Sequence, residues 1–183
     1  MSNNTQNKQP IPGLTLKLDA IDYETESSLI QHIEEGKWTS AYNTTLKRKN
    51  REVQQYGHIY NYQSRGLSGY VQIPNWLYDI AEQLSLPKPD NVIINKYEPG
   101  EGITTHTDSN CFGPIIASLS LNSPITMVLK FHKDIHEYAL EPRSLLKLED
   151  IARYKYTHEI PARKSDNGVK RQKRYSITFR TVV

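Results

Sequence analysis

Apolar and polar residues alternate over Ile11–Leu18 (I-P-G-L-T-L-K-L), which predicts a strand ending at Asp19. The spacing then changes to that of a helix over Tyr23–Ile33. Leu29, Ile30 and Ile33 share a face, Glu24 and Glu26 sit in the first turn where negative charge suits the helix dipole, and Gly36 marks a stop. A second helix is predicted over Pro74–Leu84, where Trp76, Leu77, Ile80, Ala81 and Leu84 recur at three- and four-residue intervals. From Pro89 onward the pattern is one of short strands: Val92–Tyr97, Ile103–Thr107, Ile115–Leu121, Thr126–Phe131, Glu137–Leu140, Ser144–Leu148, Lys155–Glu159 and Arg174–Val182. Glu98-Pro99-Gly100-Glu101 between two of them has the Pro-then-Gly order of a type II turn. So many short strands imply a sandwich or jelly roll rather than βαβ units, and with the helices placed first the fold class is α+β.

Composition narrows this only a little. A chain of 183 residues suits one domain, and its twelve Tyr and two Trp add buriable surface to a hydrophobic share of 37%. Residues 1–10 read as a disordered tail and 11–183 as a single domain, with the strand-rich core at about 89–183. No apolar run approaches the length of about 20 residues that spans a bilayer, so no membrane is expected. The polar N-terminus lacks a signal-like apolar stretch, and the lone Cys111 points to a reducing compartment, cytoplasmic or nuclear. A monomer is expected.

The net charge of +3 matters less than its distribution. Lys47–Glu52 (KRKNRE) carries four basic residues and one acidic, and Arg163–Arg174 (RKSDNGVKRQKR) six and one, so the rest of the chain is mildly acidic. Two basic segments on such a body suggest an anionic partner.

Candidate chemistry starts at His106-Thr107-Asp108. In a strand, residues two apart point the same way, so an imidazole and a carboxylate can converge there, and His158 lies in a later strand. Two His and one carboxylate form the facial triad that leaves open positions on octahedral Fe(II). The last strand, Arg174-Tyr175-Ser176-Ile177-Thr178-Phe179-Arg180, has one face of Arg, Ser, Thr and Arg and another of Tyr, Ile and Phe. Two guanidinium groups on one face could grip a short dicarboxylate. Asn95 and Tyr97 share a face just before the Pro-Gly turn and offer an amide and a phenol to the same ligand. His132 and His136, in a hairpin connection, do not converge as they would on a helix.

Taken together, N-x-Y (Asn95, Tyr97), Pro99-Gly100-x-Gly102-Ile103, H-x-D (His106, Asp108), His158 and R-x-S-x-T-x-R (Arg174 to Arg180) resemble the AlkB family of Fe(II)/2-oxoglutarate dioxygenases. The resemblance covers about residues 45–183 and implies a double-stranded β-helix buttressed by the early helices. It implies that His106, Asp108 and His158 hold Fe(II). Arg174 would pair with the distal carboxylate of 2-oxoglutarate, aided by Tyr97, while Arg180 and Asn95 would help at its other end or orient the metal-bound carboxylate, and Thr178 would belong to the same cosubstrate site. Ser176 stands where the family often has Asn. The implied reaction consumes O2 and 2-oxoglutarate, releases succinate and CO2, and hydroxylates a C–H; a hydroxylated N-alkyl group then leaves as an aldehyde.

The segment Arg51–Tyr62 (REVQQYGHIYNY) resembles the family's nucleotide-recognition lid, placed at about 45–65, in which Arg51, Tyr56, Tyr60 and Tyr62 would hold a base. Lys170 and Arg171 would meet a polynucleotide backbone. Within the family, IINKYEPGEGITTHTD and EPRSLLKLEDIARYKYTHEI look most like members that hydroxylate the tRNA wobble uridine. The expected partner is therefore nucleic acid, RNA or tRNA ahead of DNA, with either wobble-uridine hydroxylation or dealkylation of damaged bases as the reaction. The alternative is a protein-directed hydroxylase or demethylase.

Overall fold

The computed structural model describes residues 10–43 and 48–183, with the side chains of 42, 43 and 48–50 outside the description. Most of the expected tail (1–9), and the basic run Lys47–Asn50 as a set of side chains, therefore lie outside the described residues.

The chain opens with β1 (Leu14–Lys17), α1 (Tyr23–Glu35), β2 (Thr39–Asn43), β3 (Arg48–Asn61), β4 (Gly66–Val71) and α2 (Asn75–Gln83). It continues through β5 (Asn91–Tyr97), β6 (Ile103–His106), β7 (Phe112–Leu121), β8 (Ile125–Phe131), β9 (Asp134–Leu140) and β10 (Leu145–Leu148). It closes with α3 (Asp150–Tyr154), β11 (Thr157–Ile160), β12 (Ser165–Asp166), β13 (Val169–Lys170) and β14 (Arg174–Val182). The large sheet runs β1-β10-β7-β14-β5-β3-β2 with β4 on β3, the small one runs β6-β11-β8-β9, and β12-β13 is a separate hairpin. From β5 onward the chain keeps crossing between the two sheets, every described pairing being antiparallel. That winding is a jelly roll.

Period-two patterning positions the layers. Tyr175, Ile177 and Phe179 of β14, Val92 and Ile94 of β5, and Ala117, Leu119 and Leu121 of β7 meet Leu29 and Ile33 of α1 and Leu77, Ile80 and Ala81 of α2 on the outer face of the large sheet. Full burial of one such aliphatic side chain stabilises by about 1.5–3 kcal/mol. Asp22 caps α1, accepting from the Thr25 amide at 2.8 Å. Glu26 is buried, accepting from Arg143 at 2.8 Å and from the Asn122 amide at 2.8 Å. Between the sheets a second core gathers Phe112, Ile116, Ile125, Met127, Leu129, Leu146, Leu148, Tyr156 and Ile160.

Three features depart from the expected order. The large sheet draws β2, β3 and β4 from the first half of the chain, so the lid segment is largely strand; β3 pairs with β5 over Glu52–Gly57. Lys155 is not in a strand: it closes α3, and β11 starts at Thr157. The expected Arg163–Lys173 loop holds β12-β13, turned by Asn167 and Gly168, both at positive φ (47 and 83). The Pro99-Gly100 turn is as the sequence predicts, with Gly100 at φ 97 and the Glu101 amide donating to Glu98 O at 2.9 Å.

Candidate active site

The inner face of the large sheet meets the small sheet around a cavity of about 510 Å³. Arg174, Ser176, Thr178 and Arg180 of β14 all line it, as do Ile93, Asn95 and Tyr97 of β5. These are the alternate positions of strands whose other residues enter the helical core, so two-residue periodicity places the polar face inward.

His106 and His158 are direct cross-strand partners on β6 and β11, and their ring centroids lie 4.3 Å apart. Gly102 permits this crossing, since a Cβ there would lie 2.1 Å from the Ile160 carbonyl oxygen. The Nδ1 of His106 lies 2.8 Å from Thr104 O and donates to it, which leaves Nε2 as the free lone pair. His158 Nε2 lies 3.6 Å from Asp108 Oδ2. Burial, which favours the neutral ring, lowers the His158 pKa to about 4, and burial likewise lowers that of His106. For Asp108 burial works upward but is outweighed by Arg180 and then His158, leaving its pKa at about 2. The set is thus two neutral imidazoles and an ionised carboxylate, the donor chemistry of a divalent transition metal. Among the described residues no three His, Cys, Asp or Glu side chains are already closed on one point.

Arg180 bonds the Asp108 carboxylate directly and also donates to Asn91 Oδ1 at 3.3 Å. Its partner here is a protein carboxylate, while its Nε is buried without a partner. Arg174 is different. It is 1% exposed, lies over the Tyr97 ring at 5.3 Å and donates from Nη2 to Ser120 Oγ at 2.8 Å, while Nε and Nη1 are buried without a partner. A buried guanidinium edge with free donors suits a carboxylate. Burial lowers its pKa to about 10, so it stays cationic at neutral pH. Asn95 donates to Ser176 Oγ at 3.4 Å and accepts from Arg51 Nε at 2.7 Å, and Thr178 donates to Ser118 Oγ at 3.5 Å.

The expected substrate residues divide. Arg51, Tyr60 and Tyr62 line the cavity; Arg51 lies 5.8 Å from the Tyr62 ring, and the Tyr60 and Tyr62 rings meet edge to face at 5.3 Å. Tyr56 does not join them. It packs against the helical core and donates to Gln54 Oε1, because the left-handed backbone at Gly57 (φ 75) separates it from the register of Tyr60. Arg171 is also a correction: it is 5% exposed, pairs with Asp166 at 2.6 Å and donates to Pro161 O at 2.8 Å. Its cation holds the hairpin down and faces no ligand. Lys170 is exposed on that hairpin and does not line the cavity.

Arg153 carries no motif, and α3 is too short to show a period. The residue is 2% exposed and donates to the carbonyls of Asp108 at 3.0 Å and Ser109 at 2.8 Å. It fixes the backbone that presents Asp108. A lone Arg five residues before His158 is the only sequence signal for it.

A two-sheet jelly roll with a His-Asp-His group at one side of the cavity and an unpaired arginine edge at another defines a non-haem metal oxygenase. The comparisons make this definite: the chain belongs to the 2OG-Fe(II) oxygenase superfamily, whose model matches residues 17–180, and to its AlkB family. It is an oxidoreductase of the dioxygenase class, and its family implies Fe(II), 2-oxoglutarate and O2. Protein L905 of Acanthamoeba polyphaga mimivirus is 35% identical over 190 residues, covering 93% of this chain and 85% of that one. The tRNA (carboxymethyluridine(34)-5-O)-methyltransferase ALKBH8 of Macaca fascicularis is 34% identical over 167 residues, 85% of this chain but 25% of the relative's length. The solved structure of OsALKBH1 superposes with a TM-score of 0.74 at 18% identity, covering 95% of this chain and 99% of that one, and establishes the double-stranded β-helix.

Proposed function

We propose that the protein oxidises a modified or alkylated base in nucleic acid, with Fe(II) held by His106, Asp108 and His158 and 2-oxoglutarate anchored by Arg174. When bound, the iron supplies oxidising power: O2 accepts two electrons from decarboxylation of 2-oxoglutarate and two from a substrate C–H, one oxygen atom passing to succinate and the other to the new hydroxyl. The protein's own groups bind and position. Arg174 offers Nη1, with the second hydrogen of Nη2, to the distal carboxylate, over the Tyr97 ring. Arg180 holds Asp108 ionised and in place, and the Thr104 carbonyl fixes the His106 tautomer. Phe112, Met127, Leu146 and Leu148 contribute apolar surface to the cavity lining.

The single observation carrying the cosubstrate assignment is the fully buried Arg174 with two free donors facing a cavity that also holds both histidines and Asp108. For the substrate, support comes from Tyr60, Tyr62 and Arg51 on the cavity wall, where a base can stack and hydrogen-bond. The name of the ALKBH8 relative places a modified uridine of tRNA among that protein's substrates, which favours RNA here. The hairpin adds less than its sequence suggests, since Asp166 takes up both Arg163 and Arg171. Incubating the protein with Fe(II), ascorbate, 2-oxoglutarate and tRNA or N-alkylated oligonucleotides should release succinate and change the nucleoside mass spectrum, with His106→Ala and Asp108→Ala inactive. Turnover on peptides alone would replace this reading with the protein-directed one.

A further inference from the structure

β5 lies between β3 and β14 in the large sheet, and Asn95 pairs across to Val53 on one side and to Ser176 on the other. Ser176 in turn faces Ser120 of β7, whose Oγ accepts from Arg174 Nη2 at 2.8 Å. A row of short polar side chains thus crosses three central strands. It stands two residues along β14 from the Arg174–Tyr97 pair, roughly 7 Å, in the direction of Arg180 and Asp108. At the end of this row is Arg51, buried and donating from Nε to Asn95 Oδ1 at 2.7 Å. A guanidinium nitrogen only donates, so the oxygen of the Asn95 amide is the atom that faces Arg51. Nδ2 then lies toward β14, where it donates to Ser176 Oγ at 3.4 Å. It carries two hydrogens, and that contact uses one of them. Turned by half a rotation, the same amide would set N–H against N–H at Arg51 and put its carbonyl oxygen on the Ser176 side.

We propose that Arg51 is a positioning residue of the cosubstrate site, holding the Asn95 amide so that its remaining Nδ2 hydrogen meets an anionic oxygen of 2-oxoglutarate. The inference rests on the cosubstrate reading above, in which Arg174 anchors the distal carboxylate, and adds to it a residue that acts only through another. An amide has nearly the same shape in both orientations, so its hydrogen-bond partners, and not its packing, choose between them. Ser176 does not choose, because its hydroxyl accepts from Nδ2 in one orientation and donates to Oδ1 in the other. Arg51 does, since it has nothing but donors to offer. In the flipped state the ligand would meet a carbonyl oxygen, lone pair against lone pair. Without Arg51 the binding-competent orientation falls from nearly all of the population to about a half or a tenth of it, and the apparent affinity for 2-oxoglutarate falls by the same factor.

Calorimetric titration of Mn(II)-loaded protein with 2-oxoglutarate, with no nucleic acid present, reads this without turnover. Arg51→Met is expected to weaken binding about two- to tenfold, and Arg51→Lys, which restores a donor, to recover most of the loss. In an Asn95→Ala background Arg51→Met should change affinity by less than about twofold, because the amide it orients is gone. Asn95→Asp keeps the hold on Arg51 but presents oxygen where Nδ2 was. It should fold and yet lose more than about tenfold in affinity, and it decides the matter if Arg51→Met does not fold. Unchanged affinity in Arg51→Met or in Asn95→Asp overturns the proposal. So does an Arg51→Met loss that persists in full without the Asn95 amide, since a charge acting directly on the ligand would behave that way. The reading beneath it fails by a different sign: Arg174→Met would then leave 2-oxoglutarate affinity unchanged as well.

Discussion

Replacing Arg174 by methionine should move ligand affinity and apo stability in opposite directions. The guanidinium is 1% exposed, gives one hydrogen bond to Ser120 and keeps Nε and Nη1 without partners. A carboxylate seated there gains two charge-assisted hydrogen bonds at about 1.5–3 kcal/mol each, so losing both costs about 3–6 kcal/mol, or between about a hundredfold and about ten-thousandfold in 2-oxoglutarate affinity. In the ligand-free protein the arithmetic reverses. Each buried unsatisfied donor costs about 1–3 kcal/mol, and methionine removes two of them at the expense of one hydrogen bond and the contact with Tyr97. Arg174→Met should therefore leave the apo protein as stable as wild type or up to about 2 kcal/mol more stable. Calorimetric titration of Mn(II)-loaded protein with 2-oxoglutarate, beside urea denaturation of the metal-free protein, reads both quantities. An affinity change below about tenfold would refute the reasoning, and so would an apo variant destabilised by more than about 2 kcal/mol, since Arg174 would then be a structural residue.

Tyr60→Leu should raise the KM for a nucleic-acid substrate while Tyr56→Leu leaves it unchanged, steady-state kinetics separating two tyrosines that the sequence places in one segment. Gly102→Ala forces a methyl against the Ile160 carbonyl and should destabilise by about 1–3 kcal/mol, with a matching loss of Co(II) affinity by visible titration because β6 and β11 carry the two histidines. Asp166→Asn leaves the buried Arg171 without its carboxylate and should cost about 3–5 kcal/mol near pH 7. Burial raises the Asp166 pKa but hydrogen bonds from Arg171 and Arg163 outweigh it, so the folded value lies below the ordinary 3.8. The pair's contribution is then present above about pH 4 and fades as pH falls further, and urea melts should show wild type and Asp166→Asn converging in acid.

The legible parts of this protein are those in which one period runs unbroken. Arg174 to Arg180 alternates without interruption, and its polar face lines the cavity as the sequence implies. The Pro99-Gly100 turn and the helix over Tyr23–Glu35 were equally readable, because turn chemistry, capping and charge all agree there. Tyr56 misleads because one left-handed glycine resets the face of a strand, a change no alternation rule carries across it. Arg171 misleads because charge in a run says nothing about pairing; the Asp166 that neutralises it sits inside the same run. Arg153 was invisible because its partners are carbonyl oxygens, which every residue possesses.

The placement of Asp108 has a mechanical consequence. It follows β6 of the small sheet, while the Arg180 that grips it belongs to β14 at the centre of the large one. His106 and His158 stand on the small sheet and Arg174 on the large, so a ligand that bridges histidine and arginine spans the same gap. The Asp108–Arg180 pair is thus a clasp between the layers, and on the proposed reading cosubstrate would add another that is released with every turnover. A reactant so placed would staple the sandwich from inside, and amide exchange in β6 and β14 should slow together when 2-oxoglutarate binds.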